Sequence, residues 1–540
     1  VGDVRCTQAR YPNLNRSNSE SNYVLANVTK DNADEEFYSF LDESGRAATW
    51  SEESLKNARM SGFFPIDWIQ SSTEVLGIDN DTGYVVYKPT NGDYGRVRQH
   101  ARYAFYNVPE ELDAPMEYYI DRDSGMLYIY LPDGWQESGV TIGQSLCTRM
   151  VESTASNITF SGLTFRGTML DALKLTGDDI TVSDCRVLCI GRNAVDAKGN
   201  RILIDGCEVY NIGGYGIRIG VDKEVSRANI FTDSQVSNCK IHAFEELDRI
   251  YNPGLSLQCL GSRALNNEIY DAPHLGMSYI GTNIEVAYNL FENLCYDSSD
   301  AGALYIYDAT INSGGTRIHD NIVRNIINDE GEFFNPNGIY LDAGSGGMQV
   351  YSNIIENVDG CGLLSGGPDN EICDNLFINS VYQFHSGNYY KITSEYTGWN
   401  GLLEDGTGNI GTYPNGMFWE YLLLEKNNPG YGTERWAYLN PWVMLIKTTN
   451  CYHLDDRFTA YSYGDSRVRN NVFSMSDKKN YISNVVSRIV NFRDNYELPL
   501  SSIALKNLDE RDYRLTDDTR IYEVIPGFTY CDVDRVGVGK

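Results

Sequence analysis

The sequence predicts an all-β, right-handed parallel β-helix, and three observations carry that prediction. A six-residue phrase returns at intervals of 22, 28 or 32 residues. Its apolar residues come in short alternating bursts of strand length, and no 3.6-residue helical period runs through the copies. The phrase reads FSGLTF (Phe160–Phe165), VSDCRV (Val182–Val187), IDGCEV (Ile204–Val209), VSNCKI (Val236–Ile241), LNNEIY (Leu265–Tyr270) and AYNLFE (Ala287–Glu292). It continues as HDNIVR (His319–Arg324), YSNIIE (Tyr351–Glu356), CDNLFI (Cys373–Ile378) and RNNVFS (Arg469–Ser474). One column emerges: Leu163, Cys185, Cys207, Cys239, Asn267, Asn289, Asn321, Asn353, Asn375 and Asn471. A repeat this short cannot bury its apolar face alone and must stack on its neighbours. The column is expected to point inward, as an asparagine ladder continued by cysteines.

A chain of 540 residues is long for one ordinary domain, but a solenoid grows without needing a second core. The net charge of −30 excludes a nucleic-acid partner, since phosphate binding needs a basic surface. It also disfavours a strongly anionic polysaccharide unless a local basic patch overrides the global field. No run of about 18 apolar residues occurs, so no membrane span is expected. The chain opens without Met or a charged-then-apolar leader, so any signal peptide is expected to have been removed or to lie outside this sequence. Twelve cysteines fit an oxidising compartment, yet Cys185, Cys207 and Cys239 fall in the inward column, where thiols pack as small apolar groups. Cys6, Cys147, Cys361, Cys373, Cys451 and Cys531 are left open to pairing. Glycosylation sequons start at Asn15, Asn27, Asn80 and Asn157, no more than chance supplies in so Asn-rich a chain. Together these features point to an extracellular protein, secreted or at the cell surface.

Residues 1–150 lie outside the repeat and form an N-terminal β-rich region. Within it, Met116–Gly134 holds Asp123-Ser124-Gly125 between two Tyr-rich strands, a hairpin by its turn chemistry. Residues 151–380 carry nearly uninterrupted rungs. Residues 381–465 form an aromatic insertion with Trp399, Trp419, Trp436 and Trp442, including the helix-like run WEYLLLEKN; its rings suit either sugar stacking or a small core of their own. Residues 466–540 supply the final rungs and a closing segment.

A second register aligns Ala172, Ala194, Gly216, Gly254, Gly276, Gly302, Gly338 and Gly362, one strand per rung. Residues one and three later are mostly apolar and point inward. Residues two later point outward: Lys174, Asp196, Arg218, Ser256, Ser278, Leu304, Tyr340 and Leu364, with Gln258, Ile280, Ile306 and Asp342 four later. This outward face is a shallow strip of mixed charge with aromatic rims, suited to an extended polymer or simply to solvent.

Several stretches resemble the parallel β-helix glycoside hydrolases, specifically the family containing fucosidase and xylanase activities. They are ARYPN (Ala9–Asn13), Asn107–Pro132, DAPH (Asp271–His274), SSDAGALY (Ser298–Tyr305), GIYLDAGSGG (Gly338–Gly347) and the ending Asp509–Gly539. The resemblance spans nearly the whole chain and implies that opening rungs before ARYPN are missing from it. It also implies a catalytic pair, Asp300 and Asp342, taken from the D-x-G-A-x-Y and Y-L-D-D phrases. Glycosidic hydrolysis needs one protonated carboxyl as general acid and one ionised partner as base or nucleophile. On a straight strand the six residues between their register positions would hold the two nearly 20 Å apart, at about 3.3 Å per residue.

The chain departs from the family around that pair. Where the family has G-R-D-W-T and an Arg-Gly, it has Ile306-Tyr307-Asp308-Ala309-Thr310 and Ser313-Gly314. Y-L-D-D reads Tyr340-Leu341-Asp342-Ala343, and G-G-R-D-N reads Gly366-Gly367-Pro368-Asp369-Asn370. Three arginines, a tryptophan and an aspartate are gone, which implies altered specificity or lost activity. The substrate-binding candidates are His274, Arg218, Lys174, Tyr340 and Asp308. His274 holds the register position of Asp300 one rung earlier, and suits a packed core histidine equally. Arg218 and Lys174 could meet polymer charge, or serve a lyase acting on a uronate, but also suit surface ion pairs. Turn chemistry alone would place aspartates at 300 and 342.

No motif calls for a metal or a cofactor; Asp329-Glu330-Gly331-Glu332 lacks the spacing of a calcium loop. Two functions follow. One is a secreted carbohydrate-active protein working on an extracellular polysaccharide through the Asp pair. The other is a catalytically inactive structural protein of a surface fibre, filament or coat, self-assembling through an open β-helix end.

Overall fold

The spelling of the repeated phrase follows from a corner. The residue before each column member is left-handed, with φ between 52° and 66° at Gly162, Asp184, Gly206, Asn238, Asn266, Tyr288, Asp320, Ser352, Asp374 and Asn470. Glycine, asparagine and aspartate tolerate that conformation best, which is why they crowd this position. Each copy is thus a strand end, a left-handed corner, one inward residue and a new strand.

In the computed structural model, the residues described are 1–15, 22–30, 37–79, 81–88, 96–135, 139, 141–220, 232–307, 314–328, 335–342, 345–367, 370–386, 466–474, 482–483 and 490–539. Each turn of chain gives one strand to each of three eleven-stranded parallel sheets. The first sheet runs from Arg149–Ser153 to Ile482–Ser483, the second from Ile158–Ser161 to Val490–Arg493, and the third from Thr164–Thr168 to Tyr496–Glu497. The coil is a right-handed parallel β-helix. Its core is three lines of inward side chains, such as Leu173, Val195 and Ile217 from the first sheet and Val323, Ile355 and Phe377 from the third. Each such Val, Ile or Leu contributes about 1.5–3 kcal/mol by leaving water. Gly216 sits where rungs touch: a Cβ there would lie 2.3 Å from the Gly254 carbonyl oxygen.

At the corners the inward carboxamides bond one to the next. Asn321 Nδ2 donates to Asn353 Oδ1 at 2.9 Å, to the Val286 carbonyl and to the His319 carbonyl, while its Oδ1 accepts from the Asn289 N–H and Nδ2. The same pattern links Asn267, Asn289, Asn353, Asn375 and Asn471 and ends on Asn495, one rung past the last repeat recognised in sequence. Below Asn267 the thiols of Cys185, Cys207 and Cys239 reach the equivalent carbonyls of Phe160, Val182 and Ile204. The column's first member, Leu163, is 46% exposed, because no rung precedes it to cover an inward side chain. The eleven described cysteines are all free, including Cys6, Cys147, Cys361, Cys373 and Cys531; Cys451 lies outside the described residues.

Before the coil, strands Val24–Lys30, Tyr38–Asp42, Tyr84–Tyr87, Ser71–Asp79, Arg59–Phe63 and Arg102–Tyr106 pair antiparallel in that order, and the last returns to the first. The ring closes around Phe40, Met60, Tyr103 and Phe105, leaving no free edge within it. The expected hairpin is formed by Glu117–Asp121 and Met126–Ile129, with Gly125 left-handed and Asp121 Oδ1 accepting from the Asp123 and Ser124 amides. Barrel and coil are joined through Asp297 of the coil: its carboxylate accepts from Arg102 Nη1, Arg249 Nε and Tyr23 Oη, and its carbonyl from Arg102 Nη2.

One boundary differs from expectation. Strand Tyr382–Ser386 pairs with Cys361–Ser365 and belongs to the first sheet, so the coil extends into the segment assigned to the insertion. The four insertion tryptophans and the WEYLLLEKN run lie outside the described residues. The closing segment runs back along the outer face of the third sheet. There Tyr513, Ile521, Ile525 and Phe528 pack on outward Ile322, Ile354, Leu376 and Val472, and Gly537 N–H reaches the Tyr288 carbonyl. Those apolar outward residues are the reason: the third sheet needs a cover on that side.

Replacing a corner carboxamide tests this account. Asn321→Val strips the Asn289 N–H of its acceptor, and an unsatisfied buried group costs about 1–3 kcal/mol. Asn321→Cys places there the residue the early rungs already use. Thermal denaturation of the full chain is expected to show a clearly lower midpoint for Asn321→Val than for Asn321→Cys; equal losses would mean that the corner bonds do not hold the rungs.

Candidate active site

The segment that carries Asp300 is pinned from beneath by the DAPH phrase. Cys295 N–H bonds to the His274 carbonyl at 3.1 Å, Asp297 N–H to the Pro273 carbonyl at 3.2 Å, and Ser298 Oγ to the same carbonyl at 3.1 Å. Asp300 then takes a left-handed turn (φ 49°) just before strand Gly302–Ile306. That bend removes the straight-strand separation from Asp342.

Register decides what faces the pair. Met277 pairs with Leu304 and Ser278 with Tyr305, one residue later than the alignment on Gly302 implies. A one-residue shift turns every side chain of the strand over. Leu304 and Ile306, expected outward, are therefore fully buried, and Tyr305 stands outward beside its paired neighbour Tyr340. The two rings meet edge to face, centroids 5.2 Å apart. Each hydroxyl serves the carboxyl of the other rung: Tyr340 Oη donates to Asp300 Oδ1 at 3.0 Å, and Tyr305 Oη to Asp342 Oδ2 at 2.9 Å. The crossed pairs bring the two aspartates to one place.

Burial lifts the Asp300 carboxyl above the ordinary carboxylate range, the negative charge of Asp342 lifts it further, and the Tyr340 hydrogen bond pulls it back in part. Burial, and then the charge of Asp342, also keep the Tyr305 hydroxyl protonated and donating. A third phenol, Tyr251, is raised by its partial burial and by the fields of both Asp300 and Asp342, so it lies near the pair. Its left-handed backbone (φ 53°) is held by an N–H bond to His274 Nδ1 at 3.3 Å, and its ring meets the imidazole edge to face at 4.8 Å. Neither Tyr251 nor Tyr305 was named from sequence. Tyr305 was within reach, since it ends the SSDAGALY phrase; Tyr251 lies in a loop with no repeat to align.

The other candidates fall elsewhere. His274 is fully buried, so it supports Tyr251 and the Asp300 segment and touches no sugar; burial pushes its imidazole down to about 3, leaving it neutral. Lys174 and Arg218 do lie in the outward column of the first sheet, but Arg218 is three rungs from Tyr305, about 14 Å, and Lys174 five rungs, about 24 Å. Arg218 grips Asp196 with two bonds of 2.7 and 2.9 Å, and Lys174 sits 3.8 Å from Glu152. Asp308 lies outside the described residues. Among the described residues no cluster of three metal-ligating side chains occurs, and no helix is long and apolar enough to cross a membrane.

No family model and no curated protein sequence matches the chain. Solved structures do. A structure described as a glycoside hydrolase superposes with a TM-score of 0.50 at 14% identity, covering 71% of this chain and 74% of that one. The fold is that of a glycoside hydrolase structure. XylC in complex with xylose gives a TM-score of 0.34 at 11% identity over 88% of this chain and 74% of its own. At such identities the likeness is one of fold.

The environment of Asp300 has a thermodynamic signature. A carboxyl raised in the folded state is stabilising while protonated, and that contribution is lost as pH rises from the unfolded value, about 4, through the folded one. Asp300→Asn keeps the Tyr340 bond and cannot ionise. Its melting midpoint is expected to exceed that of the parent at pH 8 and to converge with it toward pH 4. A parent that is the more stable of the two at pH 8 would contradict the assignment.

Proposed function

We propose that the chain is a glycoside hydrolase acting on an extracellular polysaccharide, with Asp300 as general acid and Asp342 as base or nucleophile. The observation that carries this reading is the crossed pair, which brings two carboxyls together with one of them raised. Asp300 is half-buried and its carboxyl is raised, which suits it to give a proton to the glycosidic oxygen as the bond breaks. Asp342 takes a hydrogen bond from Tyr305 and is the partner assigned the role of base or nucleophile. With a water at the anomeric carbon, Asp342 accepts the water's proton and a reducing sugar leaves. If Asp342 instead attacks, it forms a covalent bond to the anomeric carbon as the protonated leaving sugar departs, and an incoming water, deprotonated by Asp300, then breaks that bond. Tyr251, 42% exposed beside the pair, offers a ring face to the sugar. The fold likeness to a glycoside hydrolase structure supports the reading, as do the family phrases around both aspartates.

The test is release of reducing ends from a panel of plant and algal polysaccharides. Asp300→Asn is expected to lower kcat by roughly 10²–10⁴-fold on the substrate that is cut. Tyr340→Phe removes the bond that holds the Asp300 carboxyl down, so the alkaline limb of the pH–rate profile should move to higher pH. Release unchanged in Asp300→Asn would remove Asp300 from the chemistry; no release from any polysaccharide would favour the noncatalytic rod.

A further inference from the structure

The loop that carries Tyr251 is closed by a carboxyl buried beneath it. Glu245 is fully buried, and its Oε1 accepts from the Asn252 N–H at 2.7 Å, seven residues on. Asn252 Nδ2 in turn donates to the Ile250 carbonyl at 2.7 Å and to the Asp248 carbonyl at 3.4 Å. The closed loop is anchored on both sides. Glu245 N–H bonds to the Gly214 carbonyl of the preceding rung at 3.1 Å, and Gln70 Oε1 of the barrel accepts from the Arg249 N–H at 2.7 Å. Consecutive amides thus end on two fully buried side chains, Tyr251 on His274 Nδ1 at 3.3 Å and Asn252 on Glu245. Both Glu245 and Tyr251 are left-handed, with φ of 55° and 53°. Side chains of this size avoid that conformation, and where they adopt it the surrounding structure holds them there, often at a functional site.

Burial raises the Glu245 carboxyl well above the ordinary carboxylate range. The Asn252 amide, the Arg249 charge and the His274 amide draw it back in part, and the Asp248 charge lifts it again. Glu245 is therefore a neutral acid whose carbonyl oxygen keeps the Asn252 bond, and a glutamine is its isostere. The Arg249 guanidinium is already engaged, its Nε reaching Asp297 at 2.5 Å. We propose that Glu245 is a positioning residue, which closes this loop and so holds the Tyr251 ring beside Asp300 and Asp342. What Tyr251 does there rests on the hydrolase reading above, whereas the hold itself is independent of it. Without the Glu245 oxygen, the Asn252 amide is left unpaired and the chain next to the phenol is tied by the His274 bond alone.

Hydrogen-exchange mass spectrometry on the full chain reads the hold without a substrate. Glu245→Met, which fills the space but offers no acceptor, should speed exchange across residues 250–252 about tenfold or more, with the ladder corner at 319–321 unchanged. Glu245→Gln keeps an oxygen where Oε1 stands and should exchange like the parent. On a polysaccharide that the chain cuts, Glu245→Met should lower kcat/KM about tenfold, and Glu245→Gln should stay within about threefold of the parent. In a Tyr251→Ala background, Glu245→Met should cost less than about threefold more, because a residue that acts through Tyr251 then has nothing left to position. Parent-like exchange in Glu245→Met, fast exchange in Glu245→Gln, or losses that multiply in the double variant would each overturn the proposal. If Glu245→Met does not fold, exchange in Glu245→Gln decides the case. If no polysaccharide is cut, exchange still decides the hold, and that failure falls on the hydrolase reading alone.

Discussion

Stacking in register is the constraint on which everything else in this molecule depends. A parallel strand satisfies its backbone only if the next turn of chain lies directly on it, at about 4.8 Å. Strands can slide; corners fix them. At each corner a left-handed residue exposes backbone polar groups to the interior, where no water reaches them. The inward carboxamide supplies what is missing, accepting from the corner amide of the previous rung and donating to two carbonyls and the next carboxamide. Where thiols replace it the carbonyls keep a weak donor, and the Cys239 amide still bonds to Asn267 Oδ1. The column acts as a spacer that allows one register only.

That constraint explains what could be read from the sequence. The corner column is periodic in one dimension, so aligning the phrase found it without knowing the fold, apart from Leu163 at the open start and Asn495 beyond the last copy recognised. The first sheet carries no such marker. Small residues line its inner start, but glycine recurs for several reasons, and choosing Gly302 over Ala303 moved one strand by one residue. The strand affected carries Tyr305. Tyr340 and the two aspartates are therefore legible in the sequence, and Tyr305, which bonds Asp342, is not. Tyr251 was beyond reach for another reason: its place is set by His274, a contact across 23 residues between two loops.

The polar groups fall into two sets with opposite logic. On the outer surface, cations and carboxylates alternate between rungs, as in Arg186 with Glu208 and Arg218 with Asp196, and such pairs mainly keep the strip solvated. Inside the junction, Asp297 is fully buried and two arginines converge on it. Removing one partner there would strand a charge, so the junction fixes how the barrel sits on the coil more than it stabilises either. Asp297 lies three residues before Asp300, in the segment pinned to Pro273 and His274. The barrel's attachment and the placement of Asp300 therefore share one short stretch of chain.

The phrases that carry the resemblance take on a physical meaning in that setting. Two of them do backbone work. Pro273 and His274 offer carbonyls to the Asp300 segment, and Gly338 leaves no room for a Cβ, which would lie 2.6 Å from the Gly362 carbonyl oxygen. An arginine close to Asp300 would draw its carboxyl down and favour loss of its proton. Among the described residues, the groups acting on Asp300 are burial, the Asp342 charge and the Tyr340 hydroxyl, and none of them is a cation. On the reading proposed above, the proton that hydrolysis needs is favoured by burial and the Asp342 charge, with the Tyr340 hydroxyl opposing them.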